Sequence, residues 1–254
     1  MYFVWVQVPS AAPQSEYLGT RFCFFLKGSC SMKKQLIFEA ILKFLLGFVL
    51  LFLFVFVPAG TLNFFGGWLL IAVLFVPMII MGIVLVILRP ELLLKRLNYR
   101  EPIKSQSKLV KLSAVAFVLG FVVAGLDFRF TWTDFPLSCS VVSAIFFLIF
   151  YFLYAVVLWQ NPFLSRTIEI QKNQNVVDSG MYSIVRHPMY SVTVVMFLVM
   201  PLILGSAYAF VIFLSYPFII VGRILDEEEF LQENLSGYSE YMKKVKYRLI
   251  PYIW

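Results

Sequence analysis

Long apolar runs separated by short charged loops are the feature that most limits how this chain can fold. The runs cover residues 36–57, 64–88, 112–126, 137–159, 189–204 and 208–221. A helix of about 20 apolar residues crosses a hydrocarbon core about 30 Å thick, where backbone groups must be satisfied within the chain. The sequence therefore predicts an all-α, polytopic membrane helix bundle of about five to six transmembrane helices, followed by a helical C-terminal tail.

Composition agrees with a membrane location and narrows the classes of partner. The chain is 61% hydrophobic and 14% charged, with a mean hydropathy of +0.87, whereas soluble domains are about 25% charged. Its formal net charge of +7 is carried mainly by loops between apolar runs, not by one soluble face. We therefore expect the lipid bilayer as a partner and no nucleic acid.

The basic loops predict which ends of the helices face the cytoplasm. Loop 89–111 is strongly basic, and residues 160–187 and the tail from residue 223 also carry Lys and Arg. Under the positive-inside rule these segments are cytoplasmic, whereas loop 127–136 faces out. Six crossings place both termini inside, and the last hairpin keeps its ends on one face even if it is re-entrant. The predicted location is a multi-pass membrane protein with its site facing the cytoplasm, in the cell membrane if the source is prokaryotic.

Residues 1–31 differ in character from the rest of the chain. They form a mixed segment containing Ser and Pro, after which Met32-Lys33-Lys34 resembles the start of a membrane helix, so Met32 is an alternative initiator. A signal peptide is disfavoured because the segment has no basic n-region. We predict a poorly structured extension over 1–31, a four-helix membrane region over 32–160, and a third region over 161–254. The three cysteines show no spacing typical of a zinc site or disulfide framework.

Two polar clusters bracket the last apolar hairpin. The first, residues 180–190, holds Arg186, Pro188 and the single histidine, His187, and the second runs from Arg223 to Glu229. Taken alone, each is typical of a membrane helix end or a solvated face. Because the hairpin returns both clusters to one face, and a helix start at Pro188 offers free N–H groups to an anion, we expect one mixed site. A sulfonium nucleoside such as S-adenosylmethionine, with its carboxylate, ammonium and hydroxyl groups, matches such a site.

The segment from about residue 171 to 254 resembles the isoprenylcysteine carboxyl methyltransferase family, which is related to the membrane phospholipid methyltransferases. The matching positions are Gly180-x-Tyr182, Val185-Arg186-His187-Pro188-x-Tyr190, Arg223 followed by Glu227-Glu228-x-x-Leu231, Gly237-Tyr238-x-x-Tyr241, Val245 and Pro251. The chain departs from this pattern at Val192, where many relatives have Gly, and by one additional residue between Tyr241 and Pro251. Residues 36–160 match in hydropathy alone.

The resemblance implies S-adenosylmethionine as cofactor, a lipophilic methyl acceptor, no metal, and a cofactor-binding catalytic region over 161–254. It places cofactor contacts on Gln171, Gln174, Asn175, Val176, Val177, Tyr182, His187, Pro188, Met189, Tyr190 and Glu227. Arg223 matches the family's substrate-side arginine and is the predicted catalytic residue. We further expect Glu228 to pair with Arg186 or Arg223, and Tyr238 and Tyr241 to pack the tail against the membrane surface.

Four functions follow from the sequence, in order of preference. The first is O-methylation of the carboxylate of an isoprenylcysteine-like acceptor, or of a small isoprenoid or lipid acid in a prokaryote. The second is N-methylation of a phospholipid or amine, which needs a base to neutralise the amine. The third is NADPH-dependent reduction of a sterol-like lipid, because membrane reductases carry a similar Arg-His-Pro segment. The fourth, a non-enzymatic membrane protein, leaves the paired clusters without a purpose.

Overall fold

The computed structural model describes residues 14–97, 104–164, 171 and 174–254, and for 14–33 and 104–105 it describes the backbone alone. The helices are α1 (Gln14–Ala59), α2 (Phe65–Leu88), α3 (Pro90–Leu97), α4 (Lys104–Phe130), α5 (Leu137–Gln160), α6 (Pro188–Ile203), α7 (Ala207–Phe213), α8 (Ser215–Asn234) and α9 (Tyr238–Lys244). A short 3-10 turn, Gly180–Ser183, precedes α6. None of the described residues forms a strand.

Within the described part of the chain, five helical segments are long and apolar enough to cross a membrane: Lys34–Ala59, Phe65–Leu88, Gln106–Phe130, Leu137–Gln160 and Ala207–Asn234. Helix α6 is apolar but shorter. Many large apolar side chains on these segments are exposed, among them Phe218 at 78% and Phe152 at 67%. A lipid-facing surface accounts for such exposure, which is unusual for a soluble protein. The predicted all-α, polytopic helix bundle is confirmed.

Two boundaries differ from those expected. Helix α1 begins at Gln14, so it extends into the predicted N-terminal extension, while residues 1–13 lie outside the described part of the chain. The last predicted run, 208–221, belongs to a longer apolar segment that continues through α8 to Asn234. The charged residues after Arg223 therefore lie on the membrane helix itself, because helical hydrogen bonding continues past the end of the apolar run.

Helix packing relies on close backbone approach at small residues. At Gly125 of α4 an added Cβ would lie 2.5 Å from the Val55 carbonyl oxygen of α1, and at Gly66 of α2 it would lie 2.8 Å from that of Ile203 of α6. Small residues commonly let membrane helices approach in this way. The main core, which includes Val55, Phe147 and Ile203, lies where these helices meet.

A buried polar cluster joins α4 to the turn between α6 and α7. Asp127 Oδ2 accepts hydrogen bonds from the hydroxyls of Ser206 and Thr133, and Asp127 Oδ1 accepts from the Thr133 N–H at 2.7 Å. Asp127 is 1% exposed, so these donors compensate its desolvation. The cluster fixes the end of α6 opposite to Pro188, and thereby the direction in which the beginning of α6 points.

Candidate functional site

A cavity lies at the N-terminal end of α6. Its wall is formed by the linker before the 3-10 turn, the turn itself, the beginning of α6, one face of α8 and the start of α9. Its empty volume is about 880 Å³, a figure that includes open solvent at the mouth.

The Arg-His-Pro element is fixed to α8 by one carboxylate. Glu228 Oε1 accepts from Arg186 Nε at 2.6 Å and lies 3.1 Å from His187 Nε2. Its second oxygen, Oε2, accepts from Arg248 Nε at 2.8 Å. Arg186, His187 and Glu228 are all buried. The expectation that Glu228 pairs with Arg186 agrees with this geometry, and the further partners are His187 and Arg248.

The C-terminal segment holds the same element through backbone contacts. The N–H groups of Arg186 and His187 donate to the carbonyls of Tyr247 and Arg248, both at 2.9 Å. Arg186 Nη1 also donates to the carbonyl of Val245 at 2.8 Å. The conformation before Pro188 is thus set by residues about 60 positions later in the chain. Pro188 then starts α6 at the position where its missing N–H costs nothing.

A second carboxylate, Glu227, faces the cavity with a tyrosine beside it. Tyr190 Oη donates to Glu227 Oε2 at 2.7 Å, and the rings of His187 and Tyr190 lie 5.7 Å apart at their centroids in a stacked arrangement. All three residues line the cavity. Glu227 retains free acceptor lone pairs, so it suits a ligand that offers hydroxyl or ammonium donors.

Three tyrosines close the cavity from the side of the tail. Tyr241 Oη donates to the Tyr182 carbonyl at 2.7 Å, while the buried hydroxyl of Tyr238 finds no partner within the described residues. Burial raises the pKa of Tyr182, Tyr238 and Tyr241, so all three stay neutral near pH 7. The expectation that Tyr238 and Tyr241 pack against the membrane surface is wrong, because the short helix α9 turns both rings into the cavity wall.

Of the predicted cofactor contacts, all except Gln171 line the cavity. The lining predicted residues are Gln174, Asn175, Val176, Val177, Tyr182, His187, Pro188, Met189, Tyr190 and Glu227. Gln171 instead supports the linker, since its Nε2 donates to the Phe163 carbonyl at 2.7 Å and its N–H donates to Gln174 Oε1 at 2.9 Å. That these residues contact a cofactor stays a prediction.

The predicted catalytic residue, Arg223, does not line the cavity. It lies one turn before Glu227 on α8, where its carbonyl accepts from Gln106 Nε2 at 3.3 Å and its side chain interacts with Tyr190. Arg223 therefore lies next to Tyr190, on the side of Glu227 that leads to the apolar N-terminal half of α8. A role on the acceptor side of the site stays a prediction.

Sequence reasoning missed several residues of the cavity wall. They are Asn161, Phe163, Leu164, Leu231 and Leu235. For Leu231 and Leu235 a signal was available, because they follow Glu227 at intervals of one helical turn and so share its face. For Asn161, Phe163 and Leu164 there was none, since only the packing of α5 against α6 brings the end of α5 to the cavity.

The wall suits a sulfonium nucleoside in its chemistry. The Tyr238 hydroxyl is a buried donor that has no partner among the described residues. The start of α6 offers backbone N–H groups, and Glu227 supplies a carboxylate. Asn175 and Gln174 add amide groups from the linker. No group of His, Cys, Asp and Glu side chains in the described ranges could hold a metal ion. The available residues match an organic ligand that carries both charges.

Two comparisons with known proteins bear on this site. The sequence model of the isoprenylcysteine carboxyl methyltransferase (ICMT) family matches residues 141–233, which contain α6, α8 and most of the cavity wall. The chain is also 33% identical over 91 residues to a Delta(14)-sterol reductase of Mus musculus. That match covers 35% of the chain and 22% of the reductase, so the two share a segment and not their full length.

Proposed function

We propose that this chain is an integral membrane methyltransferase that uses S-adenosylmethionine to O-methylate the carboxylate of an isoprenylcysteine-like or other lipophilic acceptor. The match of residues 141–233 to the isoprenylcysteine carboxyl methyltransferase family supports the proposal. One observation carries the proposal. Arg186-His187-Pro188 and Glu227-Glu228, which are 41 positions apart at His187 and Glu228, meet at one cavity.

The residues of the wall have complementary tasks in holding the donor. We assign Glu227 to the hydroxyl or ammonium groups of S-adenosylmethionine, and the start of α6 and the Tyr238 hydroxyl to its anionic group. His187 contacts the ligand through its ring edge and is oriented by Glu228. When bound, S-adenosylmethionine supplies an electrophilic methyl group on its sulfonium.

The chain's contribution to the transfer is positioning and exclusion of water. A carboxylate acceptor is ionised at neutral pH, so no side chain has to remove a proton from it. This suits a site in which His187 is engaged by Glu228. Arg223, on the side of α8 that leads to the apolar region, orients the acceptor through its two-pronged guanidinium. An amine acceptor would instead require a free base beside the cavity.

Reduction is the second candidate, and the similarity to a sterol reductase favours it. The two activities differ in the ligand that fills the cavity, a sulfonium nucleoside or a nicotinamide dinucleotide. Binding of S-adenosylmethionine and of NADPH to detergent-purified protein separates them. We expect saturable binding of the first, and methyl transfer from its radiolabelled form to an acid within a panel of prenylcysteine analogues, fatty acids and phospholipids.

Variants then test the assigned residues. Glu227→Ala should weaken S-adenosylmethionine binding by at least tenfold, whereas the neighbouring Glu229→Ala, which alters an exposed carboxylate, should leave it unchanged. Binding of NADPH in place of S-adenosylmethionine would overturn the proposal in favour of a reductase. Methyl transfer to a phospholipid amine alone would keep the methyltransferase and replace the acceptor.

A further inference from the structure

The last turn of α3 brings two cations to the edge of the cavity. Lys95 Nζ donates to Gln171 Oε1 and lies 6.0 Å from the centroid of the Phe163 ring. Arg96 Nη1 lies 3.4 Å from Met189 Sδ. Phe163 and Met189 both line the cavity. The family match begins at residue 141, so α3 belongs to a part of the chain to which no role is assigned.

Helix α3 is firmly seated, so these cations have a defined position. Its apolar face, Leu92 and Leu93, is buried against Leu36 of α1 and Leu85 of α2. Lys43 Nζ caps its end by donating to the Leu97 carbonyl at 2.9 Å. With one face buried, the last turn of α3 directs its basic side chains toward the ends of α5 and α6.

Arg96 has neutral partners here. Arg96 Nη2 donates to Tyr154 Oη, and its guanidinium carbon lies 5.6 Å from the centroid of the Tyr154 ring. Among the residues whose side chains the structure describes, 34–97, 106–164, 171 and 174–254, no carboxylate lies within ion-pair distance of Arg96. Arg186 and Arg248, by contrast, both pair with Glu228. Among these three arginines, Arg96 is the one that forms no ion pair with a described carboxylate.

The charge of Arg96 reaches the cavity wall. Burial is the main cause that raises the pKa of Tyr182, and the positive charge of Arg96 acts in the opposite direction. Met189, which Arg96 contacts, belongs to α6, whereas Glu227 belongs to α8. The cavity thus has a positive group at its edge and a negative group in its lining, which suits a ligand that carries both charges.

We propose that Arg96 binds a carboxylate of the molecule that fills the cavity and so determines specificity for acids over their uncharged analogues. This inference rests on the proposed function and deepens it. A guanidinium holds a carboxylate through two parallel hydrogen bonds, which a lysine cannot reproduce. The carboxylate has two possible sources, the amino-acid end of S-adenosylmethionine or the methyl acceptor, and the experiment separates them.

The donor arm compares binding of S-adenosylmethionine with that of its decarboxylated analogue, in wild-type protein and in Arg96→Leu and Arg96→Lys. If the donor supplies the carboxylate, wild type prefers S-adenosylmethionine, and Arg96→Leu loses that preference by about tenfold to a hundredfold, the range of a charged hydrogen bond. Arg96→Lys should be intermediate. Arg89→Leu is the matched control, because the Arg89 guanidinium lies over the Trp159 ring, 4.3 Å from its centroid.

The acceptor arm measures, by thermal shift, binding of an S-prenylcysteine acid and of its methyl ester to the same variants. Loss of the preference for the acid in Arg96→Leu, with donor binding unchanged, supports the acceptor as the source. Three results would overturn the inference. Arg96→Leu could retain the preference in both arms, it could lose affinity equally for charged and uncharged ligands, or the wild type could show no preference. A wild-type protein that binds neither sulfonium nucleoside overturns the proposed function itself, and this inference with it.

Discussion

At the scale of single residues, Glu228 is the side chain on which the site geometry depends most. One buried carboxylate accepts from Arg186 and Arg248 and contacts His187. Breaking a buried ion pair by removing one partner costs about 3–5 kcal/mol, because the remaining charge is left uncompensated. Glu228 holds Arg186 and His187, which line the cavity, and does not line it itself.

We predict that Glu228→Gln lowers the melting temperature in detergent and weakens S-adenosylmethionine binding by more than tenfold. Glutamine preserves the size of the side chain but leaves Arg186 and Arg248 without a counter-charge. Glu229→Gln, at an exposed neighbouring position on α8, is the control and should resemble wild type. Unchanged stability in Glu228→Gln would show that the observed network contributes little.

Tyr238 and Tyr241 allow ligand binding to be separated from packing. Tyr241→Phe removes the hydrogen bond to the Tyr182 carbonyl and should reduce stability by about 1 kcal/mol. Tyr238→Phe removes a hydroxyl without a partner in the described part of the chain, so stability should hold or rise while affinity for S-adenosylmethionine falls. Thermal unfolding with and without ligand measures both effects, and the opposite pattern would exchange the two roles.

At the scale of elements, the C-terminal segment is part of the site although it follows the last helix. The Trp254 carbonyl accepts from the N–H groups of Arg248, Leu249 and Ile250, which closes the segment into a compact turn. Ser191 Oγ on α6 donates to the Leu249 carbonyl at 2.5 Å. Tyr252 is 88% exposed, whereas Trp254 has this internal role.

We predict that deleting residues 250–254 weakens S-adenosylmethionine binding by at least tenfold, although none of these residues lines the cavity. The deletion removes the Trp254 carbonyl, which holds the Arg248 backbone through a hydrogen bond. Without it, the Arg248 side chain should no longer be held in place to donate to Glu228. Ser191→Ala should produce a smaller loss in the same direction, and Ile253→Ala, which alters a side chain that is 76% exposed, should produce none. Wild-type affinity in the deletion variant would contradict this account.

At the scale of the whole molecule, the two ends of the bundle differ in chemistry. One end carries the cavity and the basic segments around α3 and α9, and the other carries the Asp127 cluster and the exposed Thr131. The positive-inside rule predicts that the basic end lies in the cytoplasm. It would let S-adenosylmethionine reach the cavity from water while a lipophilic acceptor approaches through the bilayer.

Cysteine labelling tests this orientation. In a background with Cys23, Cys30 and Cys139 replaced by serine, Thr131→Cys should react with a membrane-impermeant maleimide in intact cells. Lys244→Cys should react after permeabilisation alone. Both positions are exposed, so access and not burial decides the result. Reaction of Lys244→Cys in intact cells would place the cavity on the outer face.

The sequence by itself determined the class of fold and most of the cavity wall. Long apolar runs leave a chain no stable choice in a bilayer except helices, and the spacing within residues 180–190 and 223–229 is local enough to mark a site. It could not show that the last apolar run continues as helix to Asn234, because the hydropathy pattern ends before the helical hydrogen bonding does.

Only the tertiary structure decided which residues share the cavity. Tyr238 and Tyr241, the end of α5 and the last turn of α3 reach it through helix packing, which depends on contacts between residues far apart in the chain. Arg186 was an expected partner of Glu228, but Arg248 was beyond sequence reasoning, since it comes to Glu228 through the folding of the C-terminal segment. Periodicity specifies which face of a helix is apolar, but contacts between distant segments decide what each polar side chain meets.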